Sequence, residues 1–411
     1  MKRKNYWFMF AILLLSLTSL SPSFDLSNNI GSDPPGNDPL PPSQTPDQPE
    51  SDLGPIQVGV QLDDAEFQQL LEMNEEIVQE TGAKVDIVQL SAAASDMESL
   101  IQKMSLGDGP DVLLVDSHWI KPLALKGHLL PIEASQAVIP DSQLPGGLLE
   151  PVQWNGYQWG IPFDIDPYVL AWKPEDMEGD LPASRKGWQA FKKKRDPKAV
   201  FTLDPEDPYA FAAAVYALGG DPEKPDRQVL NLLARHQSSS WLQFRASPMK
   251  QADEADNTSP VIIAPFSSAY GGLPDGFRIK ILADNVSAYK PVVRSRSYAV
   301  TAQSSQSGSS ALAMNWITEI TALSRERLWA EKTGRLAALP VTYNISDSAV
   351  RNSGGMEAVE RLRALLGKHA AAGLHFGQED GFLQYMQSAS GLLRGVITAE
   401  EFRKSYAGTG K

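Results

Sequence analysis

The stretch that decides the fold is residues 154–173, WNGYQWGIPFDIDPYVLAWK. Asn155 and Gly156 supply the positive φ angles that a tight two-residue turn needs, so the stretch predicts a hairpin followed by a long strand. The strand leaves one apolar environment and enters another, and it carries rings and carboxylates more densely than a core strand requires. A strand of this kind, passing between two lobes, suits a sugar-holding cleft. The alternative is an aromatic-rich hairpin that only packs in a core.

Residues 56–116 alternate between strand and helix patterns. We predict strands at 56–60, 84–90 and 111–116, a helix over 65–80 that stops at Gly82, and a helix from the cap Asp96 to Leu106. This β-α-β-α-β order builds a parallel sheet through right-handed crossovers. A buried strand at 261–266 and helices over 210–218 and around Trp188 indicate a second α/β unit.

Ligands of parallel sheets bind beyond the carboxyl ends of the strands. Gln61 and Asp63 follow the first strand, and Asp116 and Trp119 follow the third. We therefore expect these four residues at a ligand site. The alternative for Asp63 is a helix N-cap, and the alternative for Trp119 is packing under the following helix.

Further candidates come from the chemistry of sugars, whose apolar faces stack on rings and whose hydroxyls bind carboxylates and guanidinium groups. The predicted rings are those of Phe163, Tyr209, Phe266 and Tyr270, and the predicted polar contacts are Asp164, Asp166 and Arg294. The alternative for each ring is packing in a core, and the alternative for Arg294 is a surface ion pair.

The beginning of the chain predicts export. Lys2, Arg3 and Lys4 precede an apolar run over 6–17, which is the layout of a secretory signal. We interpret residues 1–23 as a signal peptide or an N-terminal membrane anchor, and residues 24–54 as a Pro-rich disordered linker. The chain contains no Cys, which excludes disulfides, thiolate metal sites and the acylated Cys of a lipobox. We expect the protein on the extracellular face of the cytoplasmic membrane or secreted.

Composition limits the function classes. The net charge of −13 argues against binding nucleic acid or anionic lipid through a general field. Residues 55–411 are enough for two α/β lobes, with lobe 1 at about 55–162 plus a later returning segment, and lobe 2 at about 167–290 plus C-terminal helices. The Ser-rich patch 304–310 is predicted to be a loop.

An enzyme is disfavoured by the residue inventory. The five His residues show no metal-binding spacing, and neither a G-x-S-x-G elbow nor a phosphate-binding Gly-rich loop is present. Asp164 and Asp166 could be the acid and base of a glycosidase, but such a pair usually comes from separate elements, whereas these two share a face of one strand. We expect a binding protein without a cofactor.

Two segments resemble the family 1 extracellular solute-binding proteins, which are the ligand-capturing subunits of ABC importers. Residues 154–173 are similar to the family segment DGKxYGIPxDxDxxxLxYNK, and residues 107–131 to GxxPDVxxxxxxWxxxLAxxGxLLPLD. Similar segments follow in the family order as far as Tyr343. The chain departs from the family in lacking the lipobox Cys and in carrying extra residues between Gly334 and Leu339.

The resemblance implies an α/β fold of the type II periplasmic-binding-protein kind, in which two lobes joined by a hinge close over a ligand. It also implies a monomer that binds a mono- or oligosaccharide as its small-molecule ligand and delivers it to an ABC permease. The missing lipobox leaves an alternative, a membrane-anchored sensor of the same fold that reports to a receptor. Amphipathic helices over 356–366 and 379–386 are predicted to cap one lobe, with a docking surface as the alternative.

Overall fold

The computed structural model describes residues 54–90, 96–132, 144, 146–177, 181–195, 198–234, 241–249, 251–252, 259–269, 276–282, 292–339 and 381–407. The predicted signal segment, the linker up to residue 53, Tyr270 and the predicted helix 356–366 lie outside these residues. Of the helices that are described, none combines the length and the apolar character needed to cross a membrane.

The described strands and helices alternate along much of the chain. The strands are β1 (Ile56–Val60), β2 (Val85–Gln89), β3 (Val112–Asp116), β4 (Gln153–Trp154), β5 (Tyr157–Gln158), β6 (Ile161–Trp172), β7 (Phe201–Leu203), β8 (Leu242–Phe244), β9 (Val261–Pro265), β10 (Arg278–Ile281), β11 (Val293–Val300) and β12 (Leu336–Ala337). The helices are α1 (Asp64–Thr81), α2 (Asp96–Ser105), α3 (Ser117–Leu125), α4 (Gly146–Leu149), α5 (Arg185–Arg195), α6 (Pro208–Ala217), α7 (Arg227–Leu233), α8 (Ala302–Ser307), α9 (Ser310–Ile320), α10 (Leu323–Thr333), α11 (Gly381–Arg394) and α12 (Ala399–Ala407).

Strand β6 passes through both lobes, as its sequence predicts. Its first part, from Ile161 to Pro167, pairs antiparallel with β11 and β12, and its second part, from Tyr168 to Trp172, pairs antiparallel with β9 and β10. All of its residues are buried, because each half lies inside a different lobe. The hairpin β4–β5 precedes it, and its turn residues Asn155 and Gly156 have φ angles of 53° and 79°.

Lobe 1 is built on the predicted β-α-β-α-β unit. β1 pairs in parallel with β2 and β3, and β11 returns antiparallel between β3 and β6. Successive side chains of β3 enter different cores, because strand side chains alternate between the two faces of a sheet. Leu114 packs with α1, α9 and α10 on one face, and Leu113 and Val115 belong to a second core that continues into lobe 2.

Lobe 2 repeats the arrangement with a smaller parallel core. β7 pairs in parallel with β8 and β9, and β9 joins the second half of β6. Helix α6 is apolar on all sides and buried from Tyr209 to Tyr216, which is typical of a helix enclosed by a sheet and by other helices. The C-terminal helices α11 and α12 pack on it through rings such as Tyr385 and Phe402. The predicted cap over 379–386 is therefore a helix that begins at Gly381 and packs on lobe 2.

The prediction of a loop at 304–310 is wrong. This patch contains the end of α8 and the start of α9, separated by Gly308 with φ 78°. The serine hydroxyls have acceptors within the fold: Ser304 donates to the carbonyl of Thr301, and Ser309 donates to the buried carboxylate of Asp111. Tertiary partners therefore override the low helix propensity of the serines.

Candidate functional site

A cavity of about 670 Å³ is lined by residues of both lobes. In lobe 1 its wall comes from the turn between β1 and α1 and from the turn between α10 and β12. In lobe 2 it comes from the turns that follow β7, β8 and β9. Strand β11, which pairs with the first half of β6, contributes Arg294 and Arg296. The cavity thus lies at the carboxyl ends of β1, β7, β8 and β9, where parallel sheets bind their ligands.

The lobe 1 wall is held in shape by a capping box at the start of α1. Asp63 caps α1 and accepts a hydrogen bond from the Glu66 backbone N–H at 2.9 Å, while the Glu66 carboxylate accepts from the Asp63 N–H at 3.2 Å. Asp63 is exposed at the cavity, and Gln61 beside it is buried. The helix-cap interpretation of Asp63 is therefore confirmed; the residue also lines the cavity, and its contact with a ligand stays a prediction.

The floor on the lobe 1 side is a buried cluster of ion pairs. Arg296 donates to Glu66 Oε2 at 2.8 Å and to Asp164 Oδ1 at 3.0 Å, and Trp329 Nε1 donates to Asp164 at 2.9 Å. Arg335 binds the other oxygen of Glu66. Burial opposes ionisation of Glu66, but Arg296 and Arg335 outweigh it and hold the pKa of Glu66 well below its ordinary value. This cluster fixes the shape of the floor, because each of these groups is held by a charged partner.

On the lobe 2 wall two carboxyl groups, those of Asp204 and Asp207, have raised pKa values, in contrast to Glu66 on the lobe 1 side. Asp207 caps α6 through the backbone N–H groups of Tyr209 and Ala210 and accepts a hydrogen bond from the Tyr168 hydroxyl. Asp204 accepts from the backbone N–H groups of Glu206 and Ser247. Burial raises the pKa of both carboxyl groups. These two groups can accept hydrogen bonds from ligand hydroxyls without a guanidinium in direct contact.

Ser247 shows backbone strain at this wall. Its φ of 51° lies in the left-handed region, which non-glycine residues seldom adopt. Its neighbours Pro248 and Met249 line the cavity with it. Strain of this kind persists only where surrounding structure holds it, which is common beside binding sites.

Arg294 is the arginine of the cavity with the most accessible side chain, at 28% exposure against 8% for Arg335 and 1% for Arg296. Its Nε lies 3.5 Å from Asp116 Oδ2 and has no hydrogen-bond acceptor among the described residues. Burial would lower the pKa of Arg294, but Asp116 raises it and keeps the group charged. A charged guanidinium that lines the cavity is suited to bind ligand oxygens.

Asp116 stands behind Arg294 and does not line the cavity. Its carboxylate accepts hydrogen bonds from the Tyr209 hydroxyl at 3.0 and 2.9 Å and from the His118 backbone N–H at 3.0 Å. Burial would raise the pKa of Asp116, but the contacts with His118 and Arg294 lower it. The carboxylate therefore stays ionised under the guanidinium that it faces.

The structure separates the sequence-predicted residues into three groups. Gln61, Asp63 and Arg294 line the cavity. Asp116, Asp164, Asp166 and Tyr209 lie behind its wall, buried, and support lining residues by hydrogen bonds or ion pairs. Trp119, Phe163 and Phe266 are 4%, 0% and 1% exposed and pack in the hydrophobic cores, so the expectation that these rings face the ligand is corrected to core packing.

The glycosidase interpretation of Asp164 and Asp166 loses its basis. Both side chains are fully buried and neither lines the cavity. Asp164 is engaged by Arg296 and Trp329, and Asp166 by Ser267. Carboxyl groups enclosed in this way do not reach a bound sugar.

Several lining residues have no counterpart among the predicted ones. They are Glu66 and Gln69 on α1, Asp204 and Asp207 before α6, Ser267 and Ser268 after β9, and Lys332 and Arg335 around β12. Two signals in the sequence point to part of this set: Asp207 precedes Pro208 as a helix cap, and Ser267 follows a buried strand. Lys332 and Arg335 carry no local signal, because their place depends on the return of the chain to lobe 1. Among the described residues, no group of three or more His, Asp or Glu side chains is arranged to hold a metal ion.

Comparisons with known proteins agree on the kind of molecule. A family model described as bacterial extracellular solute-binding protein matches residues 72–358. A search of curated proteins by sequence found no match.

Solved structures share the fold at low sequence identity. The chain is similar to the GacH receptor of Streptomyces glaucescens GLA.O, solved unliganded and in complex with acarbose, with a TM-score of 0.65, 15% identity, and 86% of this chain and 97% of that chain covered. It is also similar to an ABC transporter solute-binding protein of Thermotoga lettingae TMO bound with α-D-tagatose. The TM-score is 0.64 and the identity 15%, and the alignment covers 87% of this chain and 98% of that chain. For a maltotriose-binding protein of Thermus thermophilus the TM-score is 0.58 and the identity 15%, with 85% of this chain and 98% of that chain covered. Likenesses at this identity show the two-lobed fold.

Proposed function

The chain belongs to the bacterial extracellular solute-binding protein family, and from that premise we propose that it captures a carbohydrate between its lobes and delivers it to an ABC permease. One observation carries the proposal: the cavity of about 670 Å³ presents guanidinium, carboxylate, amide and hydroxyl groups from both lobes. A ligand that contacts both walls favours the closed arrangement of the lobes, because it gains interactions there that the open form lacks. The fold is shared with proteins solved with acarbose, tagatose and maltotriose, which supports a sugar as the ligand class.

The polar groups of the cavity match the surface of a sugar. Arg294 can donate to ligand oxygens, whereas Asp204, Asp207 and the hydroxyl oxygens of Ser267 and Ser268, whose protons are donated within the protein, can accept. Leu62, Ala65, Met249 and Ile263 supply the apolar contact that the C–H faces of a sugar require. In the described part of the chain no aromatic ring lines this cavity, so affinity comes from hydrogen bonds and aliphatic contact.

A thermal-shift screen of the purified protein tests the ligand class. The panel holds maltotriose, maltotetraose, acarbose and tagatose, with amino acids, a peptide and polyamines as controls. A ligand at a hundred times its dissociation constant stabilises the native state by about 2.7 kcal/mol, which is a readily measured shift. Arg294→Ala should abolish the shift, and Arg394→Ala, which removes an exposed ion pair with Glu206, should leave it unchanged. A shift with the controls and with none of the sugars would contradict the carbohydrate assignment.

Delivery to a permease is tested in cells. Deletion of the gene should abolish uptake of the sugar that binds, and restoring the protein should recover it. Unchanged uptake would favour the alternative function, a sensor that reports the ligand to a receptor.

A further inference from the structure

A hydrogen-bonded cluster of Asp116, Tyr209 and His118 connects the lobes behind the cavity. Asp116 ends β3 of lobe 1, and Tyr209 belongs to α6 of lobe 2. The Tyr209 hydroxyl donates to both oxygens of Asp116, at 3.0 and 2.9 Å. His118 Nδ1 lies 2.9 Å from the same hydroxyl, and its ring stacks on Phe382 of lobe 2 with a centroid distance of 4.6 Å. None of these side chains lines the cavity.

The same carboxylate also holds the accessible arginine of the cavity. Asp116 Oδ2 faces Arg294 Nε at 3.5 Å, and it is also the oxygen nearest to the Tyr209 hydroxyl. Asp116 is 4% exposed, so its position is set by these partners and not by solvent. A change in the contact between Asp116 and Tyr209 therefore moves the anion against which Arg294 is oriented.

Arginine needs such an anchor in order to recognise a ligand. Its long side chain has many rotamers, and a ligand that fixes a free arginine loses affinity to the entropy of ordering it. A buried carboxylate behind the guanidinium holds the planar fork in one direction and leaves its outer donors for the ligand. The carboxylate in turn needs its own hydrogen bonds to remain charged in a buried place.

We propose that Asp116 and Tyr209 are positioning residues that orient Arg294 toward the ligand and make this orientation depend on contact between the lobes. The inference rests on the proposed function for the identity of the ligand. Because the donor of this contact lies in lobe 2 and its acceptor in lobe 1, engagement of Arg294 by a ligand and approach of the lobes favour one another, as linkage requires.

A double-mutant cycle measures this coupling. Titrations of the full chain with maltotriose, maltotetraose, acarbose and tagatose compare the native protein with Tyr209→Phe, Arg294→Lys and the double variant. Tyr209→Phe removes only a hydroxyl that donates to a charged acceptor, so affinity should fall about tenfold. The double variant should lose less than the product of the two single losses, because the hydroxyl acts through Arg294.

Tyr298→Phe is the matched control. The Tyr298 hydroxyl is buried and has no hydrogen-bond partner among the described residues, so its removal should leave affinity unchanged. Native affinity in Tyr209→Phe, or losses that multiply fully in the double variant, would overturn the positioning role. Binding of none of the sugars by the native protein would overturn the proposed function instead.

A second measurement needs no sugar. Small-angle scattering of the unliganded variants should give a larger radius of gyration for Tyr209→Phe than for Tyr298→Phe, because only the first removes a contact between the lobes. Equal radii would overturn the dependence on lobe contact, whatever the ligand is.

Discussion

Ser267 donates two hydrogen bonds to the carboxylate of Asp166, one from its backbone N–H at 2.9 Å and one from its hydroxyl at 2.5 Å. Asp166 lies on β6 just before the strand enters lobe 2, and Ser267 follows β9 of lobe 2. Arg335 of lobe 1 approaches the same carboxylate, with its Nη1 at 3.3 Å. Asp166 is therefore a buried anion to which both lobes are attached, and burial raises its pKa despite these partners.

Ser267→Ala should lower the free energy of unfolding by about 1–3 kcal/mol, because a buried charged acceptor loses one of its donors. Ser268→Ala is the neighbouring control, since the Ser268 hydroxyl donates to the neutral carbonyl of Pro265. It should cost about 0.5–1.5 kcal/mol. Urea denaturation of both variants provides the comparison, and an equal loss would show that the charge of Asp166 has no effect on the bond.

Arg296→Met should destabilise the protein by about 3–5 kcal/mol, because it leaves Glu66 and Asp164 buried without their shared cation. Arg394→Met is the control for an accessible site, since Arg394 pairs with Glu206 and the two side chains are 56% and 60% exposed. Its loss should be about 0–1 kcal/mol. Chemical denaturation at constant pH measures both, and similar small losses would contradict a structural role of the buried cluster.

Glu326 predicts a pH-dependent stability. Its side chain is fully buried on α10 and both carboxyl oxygens have no hydrogen-bond partner among the described residues. Burial, and to a smaller extent the charge of Asp164, raises its pKa to about 8. Between these two pKa values Glu326 is neutral in the folded protein but ionised in the unfolded chain, whose carboxyl group has its ordinary pKa. The free energy of unfolding is therefore highest below about pH 4.5 and falls as the pH rises toward 8.

The variant Glu326→Gln tests this sign. It cannot ionise, so the free energy of unfolding of the variant minus that of the native protein should increase from pH 5 to pH 8 by a few kcal/mol and change little above. Urea denaturation at pH 5, 7 and 9 provides the three values. A difference that stays constant over this range would contradict the raised pKa.

Trp119→Ala should cost stability and not affinity. The ring is 4% exposed within the core beneath α3, so its removal leaves a cavity that costs about 3–5 kcal/mol. Because the ring does not line the ligand cavity, the dissociation constant of a sugar should stay within about twofold of native once titrations are made well below the melting temperature. A large loss of affinity in folded protein would restore Trp119 as a ligand contact.

The charge arrangement predicts discrimination against acidic sugars. Each arginine of the cavity already pairs with at least one carboxylate: Asp116 for Arg294, Glu66 and Asp164 for Arg296, and Glu66 and Asp166 for Arg335. A ligand carboxylate would therefore add a like charge in a poorly solvated place. Among matched pairs such as glucose with glucuronate and galactose with galacturonate, we expect the acid to bind at least about tenfold more weakly, a difference of roughly 1.4 kcal/mol. Tighter binding of the acids would show that the cavity has a net positive charge and would contradict this prediction.

Much of the secondary structure follows from local sequence. The strand at 56–60 is observed as Ile56–Val60, and the helix predicted over 65–80 is observed as Asp64–Thr81 with Gly82 at its end. The hairpin turn at Asn155 and Gly156 is confirmed. These features depend on residues within one or two turns of each other, and capping, periodicity and turn chemistry act at that range.

The crossing of β6 between lobes was also visible in its sequence, because a fully buried strand with two apolar halves has few other places in a fold. The same segment did not reveal which side chains face the ligand. Asp164 and Asp166 were expected there, but the partners that enclose them, Arg296 and Ser267, lie more than a hundred residues away in sequence.

Local sequence is therefore enough to predict the α/β elements, their parallel order and the strand between two lobes. Only the packing of distant segments places the rings of Trp119, Phe163 and Phe266 in the cores and makes Arg294 the most accessible arginine of the cavity. The difference comes from the distance along the chain over which each interaction acts. Propensity acts between near neighbours, whereas exposure and ionisation depend on the register of β11 and on the return of α10 and β12 to lobe 1.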